Sequence, residues 1–170
     1  NAIAHTNHIV FEKAMQNELY KGMGTTFLVA VLMKSRIFVA HVGDSRLYII
    51  TKDEICQLTL DHSFVEEMVR KGTISEQEAL HHPKRHAITR AVGTNPSVEV
   101  DVYTSEIEEE SIILMCSDGL SNMLNNEEII HIVKNKSNLE EIAQTLVDRA
   151  NENGGLDNIS VIIIRGTKGR

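Results

Sequence analysis

The spacing of apolar and polar residues divides the chain into stretches of two periods. In "IAHTNHIVFEKAMQNELY" (3–20), Ile3, Ile9, Val10, Ala14 and Met15 fall at helical spacing, and the pattern stops at Gly22 and Gly24. Four short runs follow: "TTFLVAVLM", "RIFVAHVG", "SRLYIIT" and "EICQLTL". They are rich in Val, Ile, Phe and Thr and parted by a few residues, which predicts an antiparallel meander. "SFVEEMVRKG" and "SEQEALHH" predict two short helices, each opened by a serine with acidic residues in its first turn. Ser75 and Glu78 have the spacing of a capping box. "HPKRHAITRAVG" shows no clear period. "SVEVDVYTSEI" and "SIILMC" predict strands, and "NEEIIHIVKN", capped by Asn126 or Asn125, predicts a helix. "NLEEIAQTLVDRANEN" is amphipathic through Leu139, Ile142, Ala143, Leu146, Val147 and Ala150. After the turn "GGLDN", "ISVIIIR" predicts a fully buried strand. The order predicts an α+β fold with a mostly antiparallel sheet system and no internal repeat.

Composition narrows the picture modestly. The 170 residues suit one domain with a sizeable core, and 42% hydrophobic with 24% charged is ordinary for a globular chain. A net charge of -7 argues against a nucleic-acid backbone or an anionic membrane as the main partner. No apolar run approaches the roughly 20 residues of a membrane span, and nothing resembles a signal peptide. Cys56 and Cys116 lie in apolar-rich segments, where a free thiol behaves as a small buried hydrophobe. Two cysteines make no disulfide framework, so a reducing, cytoplasmic setting is expected.

The chemistry concentrates in aspartates at strand ends. Asp44 in "VAHVGDSRLY", Asp118 in "LMCSDGL" and Asp157 in "GGLDNISVIII" each adjoin small residues. Turn formation is one explanation, because Asp and Gly are the usual turn residues. Convergence is the other. Three converging carboxylates would repel and tend to protonate, a penalty that a hard divalent cation such as Mg²⁺ or Mn²⁺ removes. The residues alone leave both open.

Other site chemistries fail on spacing. A cysteine-nucleophile phosphatase needs an arginine six residues beyond its thiol, whereas Cys56 is followed there by His62 and Cys116 by Asn122. Neither a G-x-x-x-x-G-K-[ST] phosphate loop nor a G-x-S-x-G elbow is present. His81, His82 and His86 in "HHPKRH" have no cysteine companion and fit no common zinc spacing, so a solvated loop is expected there. "GMGTT" before a strand reads as a tight turn.

Taken in order, "GMGTT", "VAHVGDSRLY", "LTLDHSFVEEMVRKGTIS", "HHPKRHAITRAVG", "ILMCSDGLSNML" and "NGGLDNISVIII" resemble the bacterial metal-dependent protein serine/threonine phosphatases of the PP2C-like, or PPM, family. The resemblance implies a four-layer α+β sandwich of two antiparallel sheets flanked by helices. It implies two catalytic Mn²⁺ or Mg²⁺ ions, with Asp118 and Asp157 as metal ligands and Asp44 holding a third ion. It also implies a mobile flap at about residues 63–92. The complete enzyme is then expected to dephosphorylate phosphoserine and phosphothreonine in proteins by metal-activated water. Its partners would be phosphorylated proteins, including a serine/threonine kinase and its substrates, with no nucleic acid and no membrane. A catalytically inactive phosphatase-like binding module and a metal-dependent small-molecule phosphatase are the alternatives.

The chain also departs from the family pattern. Complete members carry upstream a phosphate-binding arginine, an Asn-Glu-Asp segment and an Asp-Gly motif whose aspartate bridges the catalytic metals. Residues 1–21 match only the helix that follows these. The 170 residues are therefore expected to be one phosphatase domain that is N-terminally incomplete, a fragment or truncated form, and inactive by itself.

Overall fold

The computed structural model describes residues 2–166. Helix α1 (Ala2–Gln16) and a 3-10 turn (Glu18–Tyr20) precede strands β1 (Phe27–Met33), β2 (Arg36–Val42), β3 (Arg46–Ile50) and β4 (Ile55–Gln57). Helices α2 (Phe64–Arg70) and α3 (Glu76–Leu80) come next, then β5 (Asp101–Glu106) and β6 (Ile112–Cys116). The chain continues through α4 (Asp118–Ser121), α5 (Asn126–Lys134), α6 (Leu139–Glu152) and β7 (Val161–Arg165). The strands form one sheet in the order β1-β2-β5 and a second in the order β4-β3-β6-β7.

Two compact units emerge. Among the described residues, one holds 2–29 together with Val39–Asp44 and Leu60–Val102; the other holds Ala30–Phe38, Ser45–Thr59 and 103–166. The four-stranded sheet lies wholly in the second unit, and the strands of the other sheet are divided between the two.

The predicted meander is real in its strands and wrong in its continuity. β1 neighbours β2 and β3 neighbours β4, but β2 and β3 belong to different sheets. The break falls at Gly43, whose φ of +116° only glycine adopts without strain. Hydrophobic periodicity marks each strand but carries no information about which strand pairs with which.

In the second unit, β6 pairs antiparallel with both neighbours, from Arg46 opposite Cys116 to Ile50 opposite Ile112 on one side, and from Cys116 opposite Val161 to Ile112 opposite Arg165 on the other. Ile112, Leu114 and Cys116 join a core completed by Leu120 and Leu124, by Ile129, Ile132 and Val133 of α5, and by Ile142, Leu146 and Ala150 of α6. The helical positions recur three or four residues apart, so each helix turns one apolar stripe to the sheet. Asn125 opens α5 with the reciprocal bonds of a capping box to Glu128. Ser75 does the same with Glu78 for α3.

Two burial expectations fail. β7 is an edge strand among the described residues and packs only one face inward, through Val161 and Ile163, so Ile162 is 56% exposed. Cys116 is buried as expected, but Cys56 is exposed on β4, the three-residue strand at the opposite edge. In the first unit the buried face of α1 is also less apolar than its pattern suggests. Met15 is exposed, while Asn7 is buried and accepts from the Gly93 amide at 2.7 Å and donates to the Asn95 carbonyl at 3.0 Å. Among the described residues no helix is long and apolar enough to cross a membrane.

This packing predicts a contrast. Leu146→Ala should lower unfolding free energy by about 2–5 kcal/mol, because it empties a site with no solvent exposure. Leu156→Ala, at a 73% exposed position, should change it by less than about 0.5 kcal/mol. Urea titrations of the two variants check this, and equal effects would contradict the assignment of the core.

Candidate functional site

The apolar run of β6 ends at Cys116, and Ser117 turns the chain into the single-turn helix α4, whose first residue is Asp118. Ser117 does not use its hydroxyl to cap that helix. Its Oγ donates to the Asn158 carbonyl at 2.9 Å and accepts from the Ser160 amide at 3.0 Å, and its amide donates to the Ser160 carbonyl at 3.1 Å. One serine therefore ties the end of β6 to the approach to β7. Gly119 completes the contact. A Cβ there would overlap the Asn158 carbonyl oxygen and stand 2.9 Å from its carbon and 3.4 Å from the Asp157 carbonyl carbon. The backbones at Asp118 and Asp157 approach as closely as they do because residue 119 has no side chain.

Among the described residues each carboxylate accepts a neutral hydrogen bond. Asp118 Oδ2 accepts from Asn122 Nδ2 at 3.2 Å, and Asp157 Oδ1 accepts from the Asn158 amide at 2.7 Å. Among the described residues neither forms an ion pair with Lys, Arg or His. Asp118 is half-buried and Asp157 exposed.

Asp44, the third sequence candidate, belongs to the other unit. Its turn is fixed through Gly43. A Cβ on Gly43 would overlap the Thr26 methyl group and lie 3.1 Å from the Thr26 Cα. The Gly43 amide donates to His62 Nδ1 at 3.0 Å, and the His62 amide donates back to the Gly43 carbonyl at 2.8 Å. Among the described residues no group of three or more His, Cys, Asp or Glu side chains is arranged to hold a metal ion. The backbone at Asp118 and Gly119 thus lies against that at Asp157 and Asn158, and Asp44 stands in the other unit.

His62 was missed by the sequence reading, which treated "LTLDHSF" only as a motif. It is 6% exposed, and its ring lies 4.8 Å from that of His41. Nε2 is 3.1 Å from Asp101 Oδ2, and Arg90 Nη1 donates to Asp101 Oδ1 at 2.6 Å. A polar residue between a strand run and an N-cap serine was the available signal. His81, His82 and His86 lie on the surface as expected of a solvated loop, with His82 half-buried. His82 Nδ1 accepts from the Lys84 amide at 3.1 Å, and its ring lies 5.8 Å from that of Phe64. The groove between α5 and α6, of about 610 Å³, borders none of the candidate aspartates; Arg149 there faces Glu152 at 3.1 Å and Glu128 at 3.7 Å.

Asp101 gives a pH signature. Partial burial alone would raise its carboxyl, but hydrogen bonds from His62 and Arg90 outweigh burial and hold it below the ordinary carboxylate range. A lowered folded-state pKa stabilises the fold above the unfolded value of about 3.9, and the contribution fades as pH falls through the folded one. Asp101→Asn should therefore destabilise the protein at neutral pH, and the gap from wild type should narrow as pH falls to about 3. Urea midpoints across that range check it; a gap that widened in acid would contradict it.

The family model for protein phosphatase 2C matches residues 2–159. The serine/threonine phosphatase stp of Listeria welshimeri serovar 6b is 42% identical over 143 residues, covering 84% of this chain and 57% of that protein. The structure of serine/threonine phosphatase Stp1 from Staphylococcus aureus superposes with a TM-score of 0.93 at 34% identity, over 98% of this chain and 65% of that one. The catalytic domain of the serine/threonine protein phosphatase PstP, solved with two manganese ions, gives a TM-score of 0.82 at 31% identity, over 92% of this chain and 65% of its own. The chain thus spans less than two thirds of these relatives. The expected α+β fold, two antiparallel sheets flanked by helices, is borne out. On the family match, the identity and the shared fold together, this chain belongs to the protein phosphatase 2C family.

Proposed function

We propose that the whole protein to which these residues belong hydrolyses phosphoserine and phosphothreonine esters in proteins with the help of divalent cations. The observation that carries this reading is the close approach of the backbones that bear Asp118 and Asp157, whose carboxylates have no cationic partner among the described residues. The donor set is two anionic oxygens, which fits a hard ion such as Mn²⁺ or Mg²⁺ better than a thiophilic one. The two manganese ions of PstP support the same chemistry. When bound, such ions supply Lewis-acid activation of water and of the phosphoryl oxygens.

The chain's own residues have distinct parts in this reading. Asp118 and Asp157 hold the catalytic ions and are not nucleophiles. Ser117 and Gly119 keep them in register by fixing the ends of β6 and β7 together. Asp44 holds a third ion on its separate turn, and residues 63–92 form the flap that meets the phosphoprotein. Residues 1–170 belong to a single phosphatase domain in this reading. Substrates are phosphorylated cytoplasmic proteins, including a serine/threonine kinase and its targets.

The test is kinetic. The whole protein should cleave a phosphothreonine peptide in Mn²⁺ or Mg²⁺, lose activity in EDTA and regain it on metal addition. Asp118→Asn and Asp157→Asn should each lower turnover by about 100-fold or more, since each exchanges a charged ligand for a neutral amide. Activity surviving exhaustive chelation, or full turnover in either variant, would overturn the proposal.

A further inference from the structure

We propose that His62, held as its Nε2–H tautomer, is the positioning residue that locks the turn bearing Asp44 onto the base of segment 63–92. The inference rests on the reading above only where it concerns metal at Asp44.

The tautomer follows from donors. The Gly43 amide can only donate, so Nδ1 of His62 accepts and the ring hydrogen sits on Nε2, aimed at Asp101 Oδ2 at 3.1 Å. Arg90 Nη1 lies 3.1 Å from Nε2, but both are donors there and both converge on the Asp101 carboxylate. Asp101 thus orients the ring, Arg90 orients Asp101, and Glu99 Oε2 stands 3.5 Å from the other guanidinium nitrogen. A second line of bonds runs along the backbone. His62 donates its amide to Gly43, and its carbonyl accepts from the Thr89 amide at 2.8 Å. Phe64 donates to the Ala87 carbonyl at 2.8 Å, and Ser63 bridges Ile88. Residues 62–64 and 87–89 therefore close the base of the segment, with His62 as the one residue that also grips Gly43. Overlap with Thr26 denies Gly43 any bulkier substitute.

The test compares variants of the whole protein by the exchange rate of the Gly43 amide, the ¹⁵N tautomer signature of the His62 ring, and Mn²⁺ affinity by calorimetry. His62→Leu removes the acceptor and should speed Gly43 exchange by about 10-fold or more. Because the clasp holds Gly43, the residue before Asp44, the substitution should also weaken Mn²⁺ at the Asp44 site, by about 10-fold. His62→Asn returns an acceptor near the Nδ1 position and should restore both to near wild type. Should His62→Leu fail to fold, the ring tautomer of the wild type and Gly43 exchange in His62→Asn still decide the question. A ring protonated on Nδ1, unchanged Gly43 exchange in His62→Leu, or a His62→Asn variant that exchanges Gly43 much faster than wild type would overturn the inference. If Asp44→Asn leaves every Mn²⁺ site as tight as wild type, the metal reading of Asp44 fails, while tautomer and exchange still decide the role of His62.

Discussion

Everything proposed for the second unit depends on one steric allowance: Gly119 lets two backbone segments meet where a Cβ would collide with a carbonyl oxygen. Pairing of β6 with β7 brings the strand ends level, since Cys116 stands opposite Val161. Ser117 converts that alignment into a fixed contact with three hydrogen bonds to Asn158 and Ser160. Neither feature is chemical by itself. Together they bring the backbone that carries Asp118 against the backbone that carries Asp157. The core beneath makes the arrangement stiff, because α5 and α6 bury their stripes against β6 and leave its end little room to shift.

The first unit follows the same logic with polar groups in place of close-packed backbone. Asn7 and His62 are both nearly inaccessible, and each satisfies a glycine amide, that of Gly93 and of Gly43 respectively. A buried amide left without an acceptor is expensive, so these side chains are constrained by the glycines they serve. The clasp at Gly43 fixes the backbone immediately before Asp44.

How much of this was legible in the sequence varies with the range of the interaction. Helix caps were readable because Ser75 with Glu78 and Asn125 with Glu128 act within four residues. The buried strand of β6 and the aspartates that follow apolar runs were equally plain. The division of β2 and β3 between two sheets was not, because pairing is decided by contacts far apart in the chain. The exposure of Ile162 and Cys56 has the same origin, since both lie on edge strands of the four-stranded sheet. Helix α4 was hidden in "SDGLS", too short to show a period. His62 and Asn7 escaped because a polar residue in an apolar setting reads as noise until its partner, more than a dozen residues away, is known.

In the proposed function, the approach at Gly119 lets Asp118 and Asp157 act on cations together. The most direct measurement is a calorimetric titration of the whole protein with Mn²⁺, comparing wild type with Gly119→Ala under conditions where both are folded by circular dichroism. The added methyl must push Asn158 and Asp157 away from Asp118, so Mn²⁺ affinity should fall by about 10-fold or more while both carboxylates remain present. A folded Gly119→Ala variant that bound Mn²⁺ as tightly as wild type would contradict the account.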